Sequence, residues 1–305
     1  MEKALGIDFG ATNIRIALGD RKGRLEEAYS ERTNDRKITE QFYKIIDRYS
    51  DFDAIGIAAT GPLDTKNGII IAPPNLKIKN LRIINLLEKR YGIECELFND
   101  CIAGVYGEKA HGIGKSVKNF AYITFSTGIG CGVIQNNELV LGKDGNAHEV
   151  GHCSVDGEMR FKCGCGSMGR HWESYTGGKN ITRFVRHLLK TKYKNEGSVL
   201  NKNSQRLTPE LFFKIANKDK TAKQILRDIG RINSSGIGNV INSYDPELIA
   251  IGGAVALNNP RAILDPIKRY IKEYAINRIP KMALTRLDHN AILIGAIAKV
   301  LRNKR

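Results

Sequence analysis

Two strand–turn–strand units, each with a turn rich in glycine and hydroxyl side chains, constrain the fold of this chain most strongly. In the first unit, apolar runs at residues 4–9 and 14–18 flank a short Gly/Thr turn. In the second unit, residues 124–132 supply glycines and hydroxyls within the apolar segment 120–134. Apolar runs of this length, bounded by turn residues, are typical of buried strands. The repetition predicts two related lobes that face a cleft.

Strands and helices alternate along much of the chain, which predicts an α/β protein. Further strands are predicted at residues 25–29, 53–59, 68–72, 94–98 and 248–251. Helices are predicted at residues 39–49, 81–91, 100–111, 182–193, 209–215, 221–243, 266–276 and 291–301. The segment 195–206 is predicted to be a flexible loop. Glycines loosen the composition near residue 113, so we expect a smaller lobe of residues 1–113, completed by a C-terminal helix at 290–305, and a larger lobe of residues 114–289.

Length and composition are those of an ordinary globular protein. The 305 residues, 42% of them hydrophobic, are enough for two lobes with separate cores. No apolar run approaches the roughly 20 residues of a membrane span, and the N-terminus lacks a signal-peptide pattern. Six cysteines are too few for a disulfide scaffold, and Cys95, Cys101 and Cys131 are interpreted as packing residues. These features favour a cytoplasmic protein.

The charge balance bears on the class of partner. The 48 basic and 32 acidic residues give a net charge of +16. Nucleic-acid binding would require the cations to be concentrated on one face or in one arm. They are instead spread along the sequence, which favours a solvated surface with some attraction for anionic substrates. We therefore expect small-molecule partners and neither nucleic acid nor membrane, with nucleic-acid binding as the competing interpretation.

The turn of the first unit suits phosphate binding. Gly10 lets backbone N–H groups approach phosphate oxygens, and Thr12 and Asn13 add side-chain donors. Asp8, at the end of the first strand, is placed to hold Mg²⁺ or its waters, because hard cations take oxygen ligands. Taken alone, the segment could equally be an ordinary hairpin turn.

The second turn strengthens the phosphate interpretation. Thr127 and Gly128 lie among three hydroxyl residues and three glycines, and neither loop has the Gly-Lys-Ser/Thr of a P-loop. Two such loops match the nucleotide clamp shared by sugar kinases, heat-shock ATPases and actin. A third piece, Gly252-Gly253, ends a buried strand. It could lie against an adenine or ribose, or it could be a packing turn.

Five segments make the sequence similar to the ROK (repressor, open reading frame, kinase) family from Leu5 to about Ile297. In family order they are Asp8-Phe9-Gly10-Ala11-Thr12, Ala59-Thr60-Gly61-Pro62-Leu63-Asp64, Asn99-Asp100, Ser126-Thr127-Gly128-Ile129-Gly130, and Glu149-Val150-Gly151-His152 with Cys163-Gly164-Cys165-Gly166. The resemblance implies a two-lobed ribonuclease-H-like α/β fold that closes over sugar and ATP in a central cleft. It implies ATP-dependent phosphorylation of a glucose-like hexose at the 6-hydroxyl, with N-acetylmannosamine or N-acetylglucosamine as alternative substrates. A homodimer is the family default.

The resemblance assigns the catalytic base to Asp100. The residues agree, because an aspartate that starts a helix after a buried strand lies where α/β sheets place ligands. Its carboxylate can accept a hydroxyl proton while Mg²⁺ and the loops hold the transferring phosphate. Standing alone, Asn99 and Asp100 would be interpreted as helix-capping residues. The sugar contacts implied by the resemblance fall on Gly61, Asn75, Asn99, Asp100, Glu149, His152 and Glu173.

A structural zinc site is also implied, although this chain departs from the family pattern of one histidine and three cysteines. The third cysteine position holds His171, beside what looks like a one-residue insertion at Arg170. The ligand set would then be His152, Cys163, Cys165 and His171. A Cys₂His₂ set is ordinary zinc chemistry; Cys153 is the alternative ligand, and a loop held by packing alone is the alternative to zinc. Loss of zinc is expected to weaken sugar binding far more than ATP binding, because the phosphate loops are remote in sequence.

Two other functions compete with a kinase. The family includes sugar-sensing repressors, which carry a helix-turn-helix ahead of the first phosphate motif. Here that motif begins at Leu5, which disfavours a regulator. A catalytically inactive sugar-binding protein is disfavoured because Asp100 and both loops are intact.

Overall fold

The computed structural model describes residues 2–73, 76–147, 149–155, 157 and 159–303, the side chain of Asn303 excepted. Its β-strands are β1 (Lys3–Phe9), β2 (Asn13–Asp20), β3 (Leu25–Arg32), β4 (Ala54–Ala59), β5 (Leu63–Asp64), β6 (Ile69–Ile70), β7 (Glu94–Asn99), β8 (Phe120–Phe125), β9 (Ile129–Gln135), β10 (Glu138–Leu139), β11 (Leu248–Gly252) and β12 (Lys281–Leu284). Its α-helices are α1 (Ile38–Ile46), α2 (Ile83–Tyr91), α3 (Asp100–Ala110), α4 (Glu173–Thr176), α5 (Gly178–Lys190), α6 (Val199–Asn203), α7 (Pro209–Ala216), α8 (Lys220–Tyr244), α9 (Ala254–Asn258), α10 (Pro260–Tyr270) and α11 (Ala291–Asn303). Short 3₁₀ helices cover Val150–His152, Ser204–Arg206, Ile271–Glu273 and Asp288–Asn290. Within these described ranges, no helix has the length and apolar character needed to cross a membrane.

Contacts are concentrated in two compact units. The first comprises residues 1–122, 132–148 and 285–305, and the second comprises residues 123–131 and 149–284. The division falls within β8 and β9, so one hairpin contributes to both units. The lobe boundary expected near residue 113 stays a prediction.

The first unit is built on a sheet with strand order β3-β2-β1-β4-β7. Strands β1, β2 and β3 pair antiparallel, whereas β1, β4 and β7 are parallel. The register aligns Phe9 with Ala59 and Ala59 with Asn99. The three parallel strands therefore end at the same level, and the residues that follow them are brought to one edge of the sheet.

Helices pack against both faces of this sheet, and successive strand residues contact helices on opposite faces. Leu5 and Ile7 of β1 belong to a buried cluster with Phe42 of α1. Ala4, which points to the opposite face, packs in a second cluster with Ile297 of α11. Because successive strand residues alternate between faces, a strand buried on both sides reads as a continuous apolar run.

Helix α11 lies close to β4 and α3 because glycines remove the intervening side chains. A Cβ at Gly56 of β4 would lie closer than 3.0 Å to the carbonyl oxygen of Ala296 in α11. A Cβ at Gly295 of α11 would likewise collide with the carbonyl oxygen of Ala103 in α3. Backbone-to-backbone packing thus fixes α3, the helix that begins at the sheet edge.

The second sheet has the order β10-β9-β8-β11-β12, with β11 and β12 parallel. In the second unit, the long helix α8 is preceded by Asp219, whose carboxylate accepts a hydrogen bond from the Ala222 N–H. It is followed by Asp245, which has a left-handed φ of 42°. Acidic N-caps and left-handed C-terminal residues are common helix boundaries.

The prediction of a loop over residues 195–206 is wrong for its second half. Helix α6 and the 3₁₀ turn Ser204–Arg206 lie there. The hydroxyl of Ser198 accepts a hydrogen bond from the Leu200 N–H and caps α6, and Leu200 is buried. A five-residue helix is too short to produce a detectable periodicity.

Candidate active site

One edge of the first sheet collects three segments singled out in the sequence. Gly10 follows β1, Thr60 follows β4 and Asp100 follows β7. Neighbouring strands lie about 4.8 Å apart, so the ends of β1 and β7, with β4 between them, are about 10 Å apart. Open α/β sheets bind ligands at this edge.

Asp100 is held by the start of helix α3. The Cys101 N–H donates to Asn99 Oδ1 at 2.9 Å and to Asp100 Oδ1 at 2.8 Å. The Thr60 hydroxyl donates to Asp100 Oδ2 at a longer 3.5 Å. The helix end thus orients the carboxylate through one oxygen and the Thr60 contact holds the other only loosely. Negative charge is favoured at a helix N-terminus.

Asp8 is the second carboxylate at this edge. Burial raises the pKa of Asp8 to about 7, against a lowering by the Arg15 guanidinium and with a further rise from the charge of Asp100. Arg15 Nη1 lies 3.7 Å from Asp8 Oδ2, because the two residues are register partners on β2 and β1. Carboxylates that destabilise one another's charge make a suitable oxygen donor set for a hard cation.

The first predicted phosphate loop is a tight turn. Gly10 N donates to Asn13 O at 3.0 Å, and a Cβ at Gly10 would lie 3.1 Å from the same oxygen. The Thr33 hydroxyl donates to Gly10 O at 2.7 Å. Thr12 and Asn13 are exposed. Gly10 therefore shapes the turn with its own N–H engaged, and the Thr12 and Asn13 side chains are the loop's accessible donors.

The second predicted phosphate loop, in the second unit, connects β8 to β9 and adjoins the start of α5. Ser126 N donates to Gly128 O at 3.0 Å and closes the turn. Gly178 N donates to Ser126 O at 2.8 Å, and Lys179 N donates to Thr127 O at 3.0 Å. Two loop carbonyls thus face α5, whereas the Thr127 side chain is exposed.

The glycine pair after β11 lies against the end of β8. Gly253 has a φ of 85°, and a Cβ there would lie closer than 3.0 Å to Phe125 O and Thr124 Oγ1. Gly252 is the buried last residue of β11. The packing role that the sequence left open is therefore present at Gly253. The same packing places the pair beside the second loop, and its contact with a nucleotide stays a prediction.

Four predicted metal ligands converge in the second unit. The ligand atoms of His152, Cys163, Cys165 and His171 all lie within 4.8 Å of one another. The two histidine Nδ1 atoms are 3.3 Å apart; His152 Nδ1 lies 3.5 Å from Cys163 Sγ, and His171 Nδ1 lies 3.5 Å from Cys165 Sγ. Tetrahedral zinc, with bonds of about 2.1 Å to nitrogen and about 2.3 Å to sulfur, gives edges of about 3.4 Å for N···N and about 3.6 Å for N···S. The donor set and its spacing fit zinc.

Backbone pairing brings His171 into this cluster. Residues 153–155 run antiparallel to residues 170–172, with Ser154 opposite His171. Arg170 has a left-handed φ of 57°, a conformation that turns the chain sharply and accommodates the extra residue expected here. Cys153 is not a member of the cluster.

Trp172 anchors the segment that carries both His171 and Glu173. Its fully buried indole N–H donates to Asn233 Oδ1 of α8 at 2.9 Å. The ring lies directly over Gly236 of α8, where a Cβ would collide with it. The functional residues on either side of Trp172 are thus positioned by the core.

Glu173 connects the metal cluster to the second phosphate loop. Cys163 Sγ donates to Glu173 Oε1 at 3.3 Å, and Ile129 N donates to Glu173 Oε2 at 3.5 Å. A Cβ at Gly128 would lie closer than 3.0 Å to Oε2, so any larger residue there would displace the carboxylate. The second phosphate loop and the metal ligands are therefore remote in sequence but meet at Glu173, whose contact with Ile129 spans 44 residues.

Glu149 lies beside the same cluster. Its Oε2 is 3.8 Å from His152 Nε2. Burial raises the pKa of Glu149, with a lowering by the His152 charge and a further rise from Glu173. His152 therefore faces the metal ligands with Nδ1 and Glu149 with Nε2, an arrangement that orients a ligating imidazole.

The site residues divide between the two units. The first unit contains Asp8, Gly10, Thr12, Asn13, Gly61, Asn99 and Asp100; the second contains Thr127, Gly128, Glu149, His152, Cys163, Cys165, His171, Glu173, Gly252 and Gly253. Asn75 lies outside the described residues. The sequence-based set missed Thr60 and Arg15. A hydroxyl directly after a buried strand could have indicated Thr60, whereas Arg15 requires the hairpin register.

Almost the whole chain matches known proteins. The ROK family model matches residues 4–303. The chain is 34% identical to a glucokinase of Pyrobaculum calidifontis, over 98% of this chain and 95% of that protein. It is 32% identical to a glucokinase of Aeropyrum pernix, over 99% of this chain and 98% of that protein.

Solved structures give the same result. The crystal structure of a ROK family glucokinase from Streptomyces griseus, in complex with glucose and AMPPNP, matches with a TM-score of 0.85 and 25% identity, over 98% of this chain and 99% of that one. The predicted ribonuclease-H-like α/β fold is confirmed. From the family match over almost its full length and its identity to these relatives, this chain belongs to the ROK family.

Proposed function

We propose that this protein is an ATP-dependent hexose kinase that transfers the γ-phosphoryl group of ATP to a glucose-like sugar, at its 6-hydroxyl. The observation that carries the proposal is the position of Asp100 at the carboxyl edge of the first sheet, with the Thr60 hydroxyl 3.5 Å from its Oδ2. Asp8, close enough for the charge of Asp100 to raise its pKa, supplies a second carboxylate there. Two relatives above 30% identity, both glucokinases, support the same activity.

Asp100 Oδ2 is the proposed proton acceptor. The hexose oxygen forms a bond to the γ-phosphorus as the bond from that phosphorus to the β–γ bridging oxygen breaks. The hydroxyl proton moves to Asp100, and ADP leaves with the electron pair of the broken bond. The 3.5 Å contact with Thr60 is long enough for a sugar hydroxyl to replace it.

ATP is proposed to bind through both loops. Thr12 and Asn13 supply exposed donors in the first loop and Thr127 in the second, with the adenosine beside Gly252-Gly253. Mg²⁺ bound with ATP neutralises phosphate charge during transfer. Asp8 would hold that cation or its waters. A bound cation would offset the free-energy cost of burying the negative charge of the Asp8 carboxylate.

The sugar contacts are proposed to be those implied by the family resemblance. They are Gly61, Asn75, Asn99, Asp100, Glu149, His152 and Glu173. Carboxylates and amides suit this task because each can bridge two neighbouring hydroxyls. N-acetylmannosamine and N-acetylglucosamine remain the alternative substrates, and they differ from glucose at C2.

A structural zinc is proposed to support this pocket. His152, Cys163, Cys165 and His171 would hold it, and four protein ligands leave no position for an activated water. The metal would fix His171, two residues before Glu173, and would hold His152 beside Glu149, so that the two glutamates are presented to the sugar.

A coupled assay of ADP release tests the proposal. The protein is assayed with Mg-ATP and, separately, glucose, mannose, N-acetylmannosamine and N-acetylglucosamine. We expect the highest kcat/KM with glucose and a product phosphorylated at the 6-position by NMR. A preference for an N-acetylated sugar would select the alternative, and ADP release no faster with any sugar than with water would overturn the proposal.

A further inference from the structure

Asn146 binds the backbone of a distant segment of the first unit. Its Oδ1 accepts from Leu63 N at 2.9 Å, and its Nδ2 donates to Leu63 O at 2.6 Å and to Asp144 O at 3.3 Å. The two residues are separated by 83 positions in sequence. Leu63 is fully buried and begins β5.

The side-chain amide of Asn146 makes the two hydrogen bonds to Leu63 that a neighbouring strand would otherwise make. The β5–β6 hairpin uses the other edge of the segment, where Ile71 N donates to Pro62 O at 3.1 Å. On the Asn146 side, Leu63 presents one donor and one acceptor, and only an amide offers an acceptor and a donor side by side in matching positions. The pair of contacts therefore requires a side-chain amide.

A second contact joins the same two segments. The Thr65 hydroxyl donates to Asp144 O at 3.4 Å. Gly145 has a φ of 80°, and a Cβ there would lie closer than 3.0 Å to Thr65 Oγ1. The loop around Asn146 is thus shaped to fit against residues 63–65.

The fastened segment is the one that carries Thr60 and Gly61. Thr60 donates to Asp100, and Gly61 is a proposed sugar contact only two residues before Leu63. We propose that Asn146 is a positioning residue for hexose binding, which holds the Thr60–Leu63 segment in place at the sheet edge. The assignment rests on the proposed kinase function, and it adds a residue outside the family motifs.

The experiment compares two substitutions of Asn146 with a control in the same hairpin. Asn146→Ala removes both hydrogen bonds. Asn146→Asp keeps the size and the acceptor for Leu63 N, but sets a carboxylate oxygen against Leu63 O. Asn67→Ala is the control, because Asn67 contacts the side chain of Asp64 rather than the Leu63 backbone. Hexose and ATP KM, kcat and the unfolding temperature are measured for each.

We expect Asn146→Ala to raise the hexose KM about 10–100-fold and Asn146→Asp to raise it further, with ATP KM changed less than about 2-fold. Asn67→Ala should leave the hexose KM within about 2-fold of wild type. Should Asn146→Ala fail to fold, Gly145→Ala tests the same contact, because its Cβ pushes the loop away from Thr65.

The outcomes separate this assignment from the function on which it rests. A wild-type protein that phosphorylates no hexose overturns the proposed function and the assignment together. An active wild type with an unchanged hexose KM in the Asn146 variants overturns the assignment alone. A smaller rise of the hexose KM in Asn146→Asp than in Asn146→Ala also overturns the assignment, because it would indicate that Asn146 only fills space. An equal rise of the hexose KM and the ATP KM overturns it too, because it would indicate a general loss of structure.

Discussion

Asp100 has two roles that a single substitution separates. It accepts the Cys101 N–H at the start of α3, and it is the proposed base. Asp100→Asn retains an acceptor for that N–H but cannot take a proton, so kcat should fall by about 10²–10⁴ while hexose still binds. Steady-state kinetics and calorimetric titration with glucose measure the two effects. Asp265→Asn, at an exposed position of α10, is the control; near-normal turnover in Asp100→Asn would remove Asp100 from the mechanism.

Asp8 is expected to lower the free energy of unfolding while it supports kinase activity. Between the ordinary pKa of 3.8 and the folded value of about 7, the folded protein binds a proton that the unfolded chain releases. The free energy of unfolding therefore decreases as pH rises through this range. Without metal at pH 8, Asp8→Asn should raise that free energy by about 1–4 kcal/mol, with little change near pH 4. It should also abolish most kinase activity.

Urea unfolding in the presence of a chelator, at pH 4.5 and pH 8, measures this difference. Asp64→Asn is the matched control, since the pKa of Asp64 is lowered by hydrogen bonds from Asn67, and its loss should not stabilise the protein at either pH. An Asp8→Asn protein no more stable than wild type at pH 8 would contradict a buried, destabilising charge.

The sequence could indicate Asp8 and Asp100 because each adjoins the end of a buried strand. Thr60 also follows a buried strand, but nothing comparable indicates Asn146. The contacts of Thr60 and Asn146 span 40 and 83 positions and depend on strand register and turn geometry. Local sequence patterns therefore do not identify the partner of either residue.

At the scale of elements, Glu173 contacts both the metal-ligand cluster, at Cys163, and the second phosphate loop, at Ile129. Gly128→Ala places a Cβ against the Glu173 carboxylate, which must then leave Ile129 N. We expect kcat/KM for hexose to fall about 10–100-fold. Gly197→Ala is the control, because a Cβ there meets nothing within 4 Å. Wild-type kinetics in Gly128→Ala would show that the Glu173 contact is dispensable.

Removal of one metal ligand tests the cluster itself. Cys163→Ser should reduce zinc from about one per chain to below about 0.1, measured by elemental analysis of purified protein. Hexose binding should weaken, and ATP binding should weaken as well, because Glu173 touches both Cys163 and Ile129. Cys153→Ser should retain zinc, since Cys153 lies outside the cluster. Full hexose kinase activity in a wild-type protein without zinc would contradict the structural role.

Long elements with strong patterns could be predicted from the sequence, and short ones could not. The predicted helix at 221–243 corresponds to α8, and the predicted strand at 53–59 to β4. Strand β12 was missed because it has only four residues, one exposed and three partly buried, with no alternation. A glycine inside a strand, such as Gly56, marks either a bulge or the close approach of another backbone, so the sequence alone does not specify that α11 packs there.

At the scale of the whole molecule, the alternation of strands and helices was sufficient to predict the fold class. Residues 285–305 belong to the same compact unit as residues 1–122. Thr285 donates a hydrogen bond to the buried Glu108 across 177 positions of sequence. Thr285 precedes α11, so this contact depends on how the segment before α11 lies beside α3, which hydrophobic periodicity within either helix does not specify.

The net charge of +16 is also a property of the whole molecule, and it leads to a prediction about nucleic acid. Exposed cations are partly neutralised on both units, for example Arg90 by Asp47 in the first and Arg231 by Glu273 in the second. Binding to duplex DNA should therefore be non-specific, with a Kd of about 10⁻⁶ M or weaker at physiological salt, and should weaken steeply as salt rises.

Fluorescence anisotropy with two unrelated duplexes at several salt concentrations measures both properties. Equal affinity for the two duplexes and loss of binding above physiological salt are expected. Nanomolar binding that distinguishes the duplexes and persists in salt would instead favour a sugar-sensing regulator, because a counterion-release mechanism alone cannot select sequence.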